Sequence, residues 1–179
     1  MKRPRTENKT QILPDILFEG LDVVFCGSAA GSASAKAGAY YGGPGNRFWP
    51  ILQESGLTPH LLEAHEFRSA LQFGIGLTDM SKHQSGADSA LSAAGDDPAA
   101  LARKIGDYAP RVLAFNGKRA AAVFLRNVLE SEIKNYGLQP NGLGNTAIFV
   151  LPSTSGAARR WWDAAPWRSL AEYLGRSPG

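Results

Sequence analysis

Cysteine is nearly missing from this chain of 179 residues: Cys26 stands alone, which excludes an internal disulfide and a multi-cysteine zinc site. Long apolar runs are missing as well. No stretch approaches the roughly 20 apolar residues that a membrane-spanning helix needs. No apolar segment follows the N-terminal positive charges, so a secretory signal is not expected either, and the sequence reads as that of an intracellular protein. Excess charge is the third scarcity. The formal total of +3 comes entirely from residues 1–10, where Lys2, Arg3, Arg5 and Lys9 face Glu7 alone. The other 169 residues carry fifteen charges of each sign, which excludes polyanion binding through bulk charge and leaves a few locally placed basic groups.

What is present suffices for a globular domain. With 44% hydrophobic and 20% charged residues, the chain is neither disordered nor fibrous, and its length permits one well-filled core. Residues 1–11 read as a basic, disordered tail, and 12–179 as a single folded domain. Leu21–Cys26, Val112–Phe115 and Ile148–Leu151 are continuous β-rich runs of the kind buried strands show, and Ile75–Thr78 is a shorter one. Helical patterns separate them: 46–55, 60–71, one opened by Asp97-Pro98 with Leu101, Ala102 and Ile105 as its apolar stripe, 118–129 and 166–174. Strands alternating with helices predict an α/β fold, a three-layer α/β/α sandwich on a mostly parallel sheet of four or five strands. Ligands bind such sheets at the carboxyl ends of the strands. The loops leaving those ends, 27–46, 79–89 and 152–160, are therefore expected to converge on one crevice. The first, Gly27 to Gly45, is glycine-rich with almost nothing that looks like core, a length of loop that usually serves function.

Gly27-Ser28-Ala29-Ala30-Gly31 directly after a strand invites a phosphate-loop reading, but the Gly-Lys-Ser/Thr ending and the third glycine of a dinucleotide turn are both lacking. The aromatic and amide residues that follow it fit a different pattern. Tyr41-Gly42-Gly43-Pro44-Gly45-Asn46-Arg47-Phe48-Trp49 comes next, then Gly74-Ile75-Gly76-Leu77-Thr78-Asp79-Met80 and Ala114-Phe115-Asn116-Gly117-Lys118. Gly137-Leu138-Gln139-Pro140 and Leu151-Pro152-Ser153-Thr154-Ser155-Gly156 complete the series. With the Gly27–Gly31 segment, this order of six motifs resembles the mismatch-specific uracil/thymine DNA glycosylases of the uracil-DNA glycosylase superfamily, over about residues 13–175.

The resemblance implies a monomeric, monofunctional DNA-repair enzyme that needs no metal or organic cofactor. It would flip uracil out of duplex or single-stranded DNA and hydrolyse its N-glycosidic bond, leaving an abasic site. It implies that Tyr41 stacks on the flipped base and that backbone N–H groups from Gly27 through Gly31, Ser28 foremost, face the uracil ring. It also exposes a departure. Ala29 stands where the family carries a water-positioning asparagine, and an uncatalytic binding protein of the same fold is the alternative this leaves open. Asp79, at the rim of the crevice, is the expected substitute for that asparagine, unless it merely caps a turn. Thr78 is a weaker candidate for holding the base or a water. Asn46 reads either as a base contact or as a helix cap. Ser153, Ser155 and Gly156 are expected against the DNA backbone, with Lys36, Arg47, Lys82, Arg159 and Arg160 beside them. The family's DNA-inserting position holds alanine here, and Arg159 is close enough to replace it unless it simply lies on a surface helix. Trp49, Trp161, Trp162 and Trp167 read as packing residues.

Overall fold

The computed structural model describes residues 11–179. Five strands form one sheet: β1 (Val23–Gly27), β2 (Ile75–Asp79), β3 (Val112–Asn116), β4 (Gly137–Leu138) and β5 (Ala147–Leu151). Their spatial order is β2-β1-β3-β5-β4, parallel throughout except for β4, which pairs antiparallel with β5 at the edge. The helices are α1 (Ser32–Ala37), α2 (Phe48–Glu54), α3 (Pro98–Tyr108), α4 (Lys118–Val128) and α5 (Ala165–Tyr173). The α/β sandwich expected from the sequence is the fold observed.

Strand alternation divides the core in two. Val23 and Phe25 of β1 face a layer built from α2, α5 and the segment before β2, while Val24 and Cys26 face α3 and α4. Phe25 sits edge-on to Phe48 at 5.2 Å and stacked on Trp167 at 5.5 Å, so one β1 side chain ties α2 and α5 to the sheet. Truncating such a buried aromatic typically costs about 3–5 kcal/mol. On the other face, Phe115 meets Phe124 of α4 at 5.3 Å. Asp97 accepts the Ala100 N–H at 2.8 Å with Pro98 at the first helical position, so α3 begins where the sequence places it.

Two local expectations need correction. The 60–71 helix is a 3-10 run, Ala64–Phe73, which starts late because Glu63 and Glu66 form a capping box there. The 27–46 loop contributes to the core after all. It contains α1, and Ala30, Ser34, Ala39 and Tyr40 are buried. Tyr40 is among the largest fully buried side chains, and the Ser34 hydroxyl accepts the Gly42 N–H at 3.0 Å. Strand β4 is too short to leave a pattern in sequence. The four basic residues of the N-terminal tail lie outside the described residues.

Candidate active site

The chain leaving β1 runs to one edge of the sheet and the chain leaving β3 to the other, so the carboxyl ends of these two strands form the switch point at which such sheets bind ligands. Four connections reach that end, those after β1, β2, β3 and β5. Main-chain bonds hold them together. The Gly27 carbonyl accepts the Met80 N–H and the Ser28 carbonyl accepts the Ser81 N–H, both at 2.8 Å, so the turn after β1 runs beside the turn after β2. These bonds use the carbonyl oxygens of the turn and do not consume its N–H groups. Ser28 is buried, and Ala29 follows it half-buried with only a methyl group to offer.

Gly27 is required by close approach. A Cβ there would lie 2.8 Å from Asp79 Oδ1 and 3.5 Å from the Tyr41 hydroxyl, so carboxylate and phenol face the same small space. Gly27 and Asp79 are register partners across β1 and β2, which fixes the carboxylate against the glycine. Asp79 is 5% exposed, and burial pushes its carboxyl up to about 6, with Asp15 adding to the rise and Lys82 and Lys104 opposing it. It therefore changes charge near neutral pH. Such a shift arises at functional sites more often than elsewhere.

Tyr41 adopts a left-handed backbone conformation, φ 54°, which is unfavourable for an aromatic residue and characteristic of functional positions. One face of its ring stacks on Phe48 at 3.9 Å. Its hydroxyl is buried with no hydrogen-bond partner among the described residues. Burial, reinforced by the charge of Asp79, keeps that hydroxyl protonated far above its ordinary range, while the nearby Asn116 side chain acts in the opposite direction.

The β5 loop is fastened to this group by Asn116. Its Nδ2 donates to Thr154 Oγ1 at 2.8 Å and its Oδ1 accepts the Thr154 N–H at 3.0 Å. The Thr154 carbonyl in turn accepts the Arg47 N–H at 2.9 Å. Gly156 lies so close to the 44–45 turn that a Cβ would meet the Pro44 carbonyl at 3.2 Å. Arg159 reaches back over Gly45, the Arg47 guanidinium lies over Trp162 at 5.4 Å, and that of Arg160 over Trp161 at 5.5 Å. Arg47, Arg159 and Arg160 are exposed, which gathers three cations along one rim.

Other sequence candidates fall differently. Thr78 does not face the crevice. It points to the opposite side of β2 from Asp79, is fully buried, and donates its hydroxyl to Asp15 at 2.7 Å. Lys82 is not a DNA-facing cation: it is 8% exposed, with Nζ 2.8 Å from Asp15. Asn46 spends its side-chain oxygen on the Phe48 N–H at 3.0 Å, and so caps α2 from just outside it. Ser153 and Ser155 close local turns through the Ser155 and Ala157 N–H groups. Lys36 is exposed on α1. Trp161 is 69% exposed and is no packing residue. Among the described residues no cluster of His, Cys, Asp and Glu could hold a metal ion.

Comparison with known proteins decides the lineage of this site. The family model of the Uracil DNA glycosylase superfamily matches residues 14–174. The chain belongs to that superfamily. Among solved structures it is similar to the solution NMR structure of a "putative Uracil DNA glycosylase" from Methanosarcina acetivorans, with 25% sequence identity and a TM-score of 0.61. That match covers 92% of this chain and 97% of the other. Superfamily membership brings a uracil-glycosylase type of function, a place in DNA repair and DNA as the partner. No helix among the described residues is long and apolar enough to cross a membrane.

Proposed function

We propose that this protein is a monomeric, monofunctional uracil-DNA glycosylase of the mismatch-specific uracil/thymine branch, in which Asp79 replaces the asparagine lost at Ala29. The observation that carries this reading is the placement of the Asp79 carboxylate against Gly27, facing the same space as the Tyr41 hydroxyl. A flipped uracil would stack on the Tyr41 face opposite Phe48, with the N–H groups of the Gly27–Gly31 turn directed at its ring.

The reaction then proceeds by bond breaking at C1′. The C1′–N1 electron pair leaves with the base, and N–H donors stabilise the resulting anion. Asp79, as carboxylate, orients a water molecule and accepts its proton as the oxygen bonds to C1′. Its negative charge also favours the developing sugar cation. Because the carboxylate form is required and the group titrates at about 6, excision rises as pH increases through that value and then levels off. Arg47, Arg159 and Arg160 would contact phosphates around the extruded nucleotide, and the small residues Ser153, Ser155 and Gly156 let the backbone approach closely.

The test uses single- and double-stranded oligonucleotides containing one uracil, with alkali to cleave abasic sites. Wild-type protein should generate cleaved product, and Asp79→Asn should lower single-turnover excision about 10²–10⁴-fold without loss of fold. Near-normal excision by Asp79→Asn would remove that residue from the mechanism. The methyl side chain of Ala29 favours a second reading, a uracil- or abasic-DNA-binding protein with little turnover. A gel shift with no cleavage by the wild type would select it.

A further inference from the structure

An ionic network that the proposed reaction does not use lies directly behind Asp79. Lys82 Nζ is 2.8 Å from Asp15 Oδ1 and donates to the Tyr40 hydroxyl at 3.0 Å. Asp15 also receives Lys104 of α3 at 2.6 Å and the Thr78 hydroxyl at 2.7 Å. One carboxylate in the segment before β1 thus gathers groups from β2, from the turn after it and from α3. The same segment is stitched to β2 by main-chain bonds, Ile16 N–H to the Leu77 carbonyl at 2.9 Å and Leu77 N–H to the Ile16 carbonyl at 2.8 Å. The Ile12 N–H also binds the Lys82 carbonyl at 2.8 Å.

Two features set this network apart from ordinary structural pairing. Buried ion pairs are poor sources of stability, since desolvation offsets most of their attraction. This one lies beside a further buried carboxylate, Asp79. Its charges balance only when Asp79 is included, as Lys82 and Lys104 then stand against Asp15 and Asp79. Its hydrogen bond to Tyr40 also fixes the residue adjoining Tyr41, whose ring lies 6.1 Å from that of Tyr40.

We propose that Lys82 is a positioning residue of the active site: it locks the Tyr40–Tyr41 corner to the turn carrying Asp79 and, with Lys104 and Asp15, sets the electrostatic surroundings of that carboxylate. The inference rests on the role of Asp79 proposed above. The groups acting on Asp79 come from every neighbouring element: Lys82 from its own turn, Asp15 from the N-terminal segment and Lys104 from α3. The charge of Asp79 also acts on Tyr40, on Tyr41 and, from the other face of the sheet, on Cys26 of β1, and burial keeps all three protonated. Lys82 and Lys104 favour the carboxylate form and Asp15 opposes it, so their removal has opposite consequences.

The experiment is the pH profile of single-turnover uracil excision from a duplex oligonucleotide by the full chain, between about pH 5 and about pH 8. Lys82→Met should move the acidic limb upward by about one unit and lower the plateau about tenfold, and Lys82→Arg should restore the limb. Asp15→Asn should move the limb downward. Should Lys82→Met fail to fold, Lys104→Met supplies the upward shift from a more exposed position. A purely structural network would change the plateau and leave the limb in place. Limbs that stay put, or that move the same way in the Asp15 and lysine variants, overturn the inference. Asp79→Asn separates the two levels. If that variant keeps full excision, the reading of Asp79 fails and the inference falls with it. If it is inactive while the lysine variants leave the limb unmoved, only the positioning role fails.

Discussion

Asp79→Asn should free this protein of a pH-dependent stability penalty while disabling it. The folded carboxyl titrates at about 6 instead of 3.8, chiefly because burial penalises its charge. Below pH 3.8 both folded and unfolded states hold the proton, and the residue contributes no pH-dependent term. As pH rises through the interval between these values, the unfolded chain releases its proton while the folded one retains it, so stability falls. Above about 6 the penalty is complete and constant. Its size follows from the shift of roughly two units at 1.36 kcal/mol each, about 3 kcal/mol. An asparagine carries no such penalty, although its buried amide costs a pH-independent increment of about 1–3 kcal/mol wherever it lacks partners. The diagnostic quantity is therefore the change with pH of the stability difference between the two proteins. Urea titrations at about pH 4 and about pH 8 should show Asp79→Asn gaining most of that 3 kcal/mol over the interval, equivalent to about 2–4 °C in Tm per kcal/mol. A difference that is flat across this range, or that favours the wild type increasingly toward alkaline pH, would refute the claim that Asp79 is held as a costly buried carboxylate. The expected result is a stability–activity trade-off written into one residue.

Gly27→Ala should lower excision about 100-fold in single-turnover kinetics with the fold preserved by circular dichroism, because the new methyl falls 2.8 Å from Asp79 Oδ1 and displaces it. Asn116→Ala strips Thr154 of both side-chain bonds and leaves its buried N–H unpaired, for an expected loss of about 2–4 kcal/mol in urea unfolding together with weaker DNA binding. Replacing Arg159 and Arg160 together by alanine should reduce the slope of log affinity against log salt by about one to two, with similar losses for uracil-containing and plain DNA.

Much of the architecture was legible from local pattern. Val23–Gly27 and Val112–Asn116 are buried on both faces, so their apolar runs are continuous and read as strands. Asp97-Pro98 marked its helix start because cap and proline act within a single turn. The convergence of the loops followed from strand polarity alone. The small-residue segment 32–37 hid a helix, since alanine and serine give no apolar stripe to read. Motif order puts both Thr78 and Asp79 at the strand end, yet adjacent residues of a strand face opposite ways, and the sheet sends Thr78 toward Asp15.

By itself, then, the sequence determined the layered α/β fold, the crevice at the strand ends, the family resemblance and the missing asparagine at Ala29, because each is carried by neighbouring residues or by motif order. The tertiary structure decided the rest. It set Asp79 against Gly27, left the Tyr41 hydroxyl buried without a partner, turned Lys82 from a surface cation into an internal one, and joined Asn116 to Thr154. Those relations depend on the distance and burial of groups far apart along the chain. Asp15 and Lys104 meet only because the N-terminal segment pairs with β2 beside α3, and no local pattern encodes that encounter.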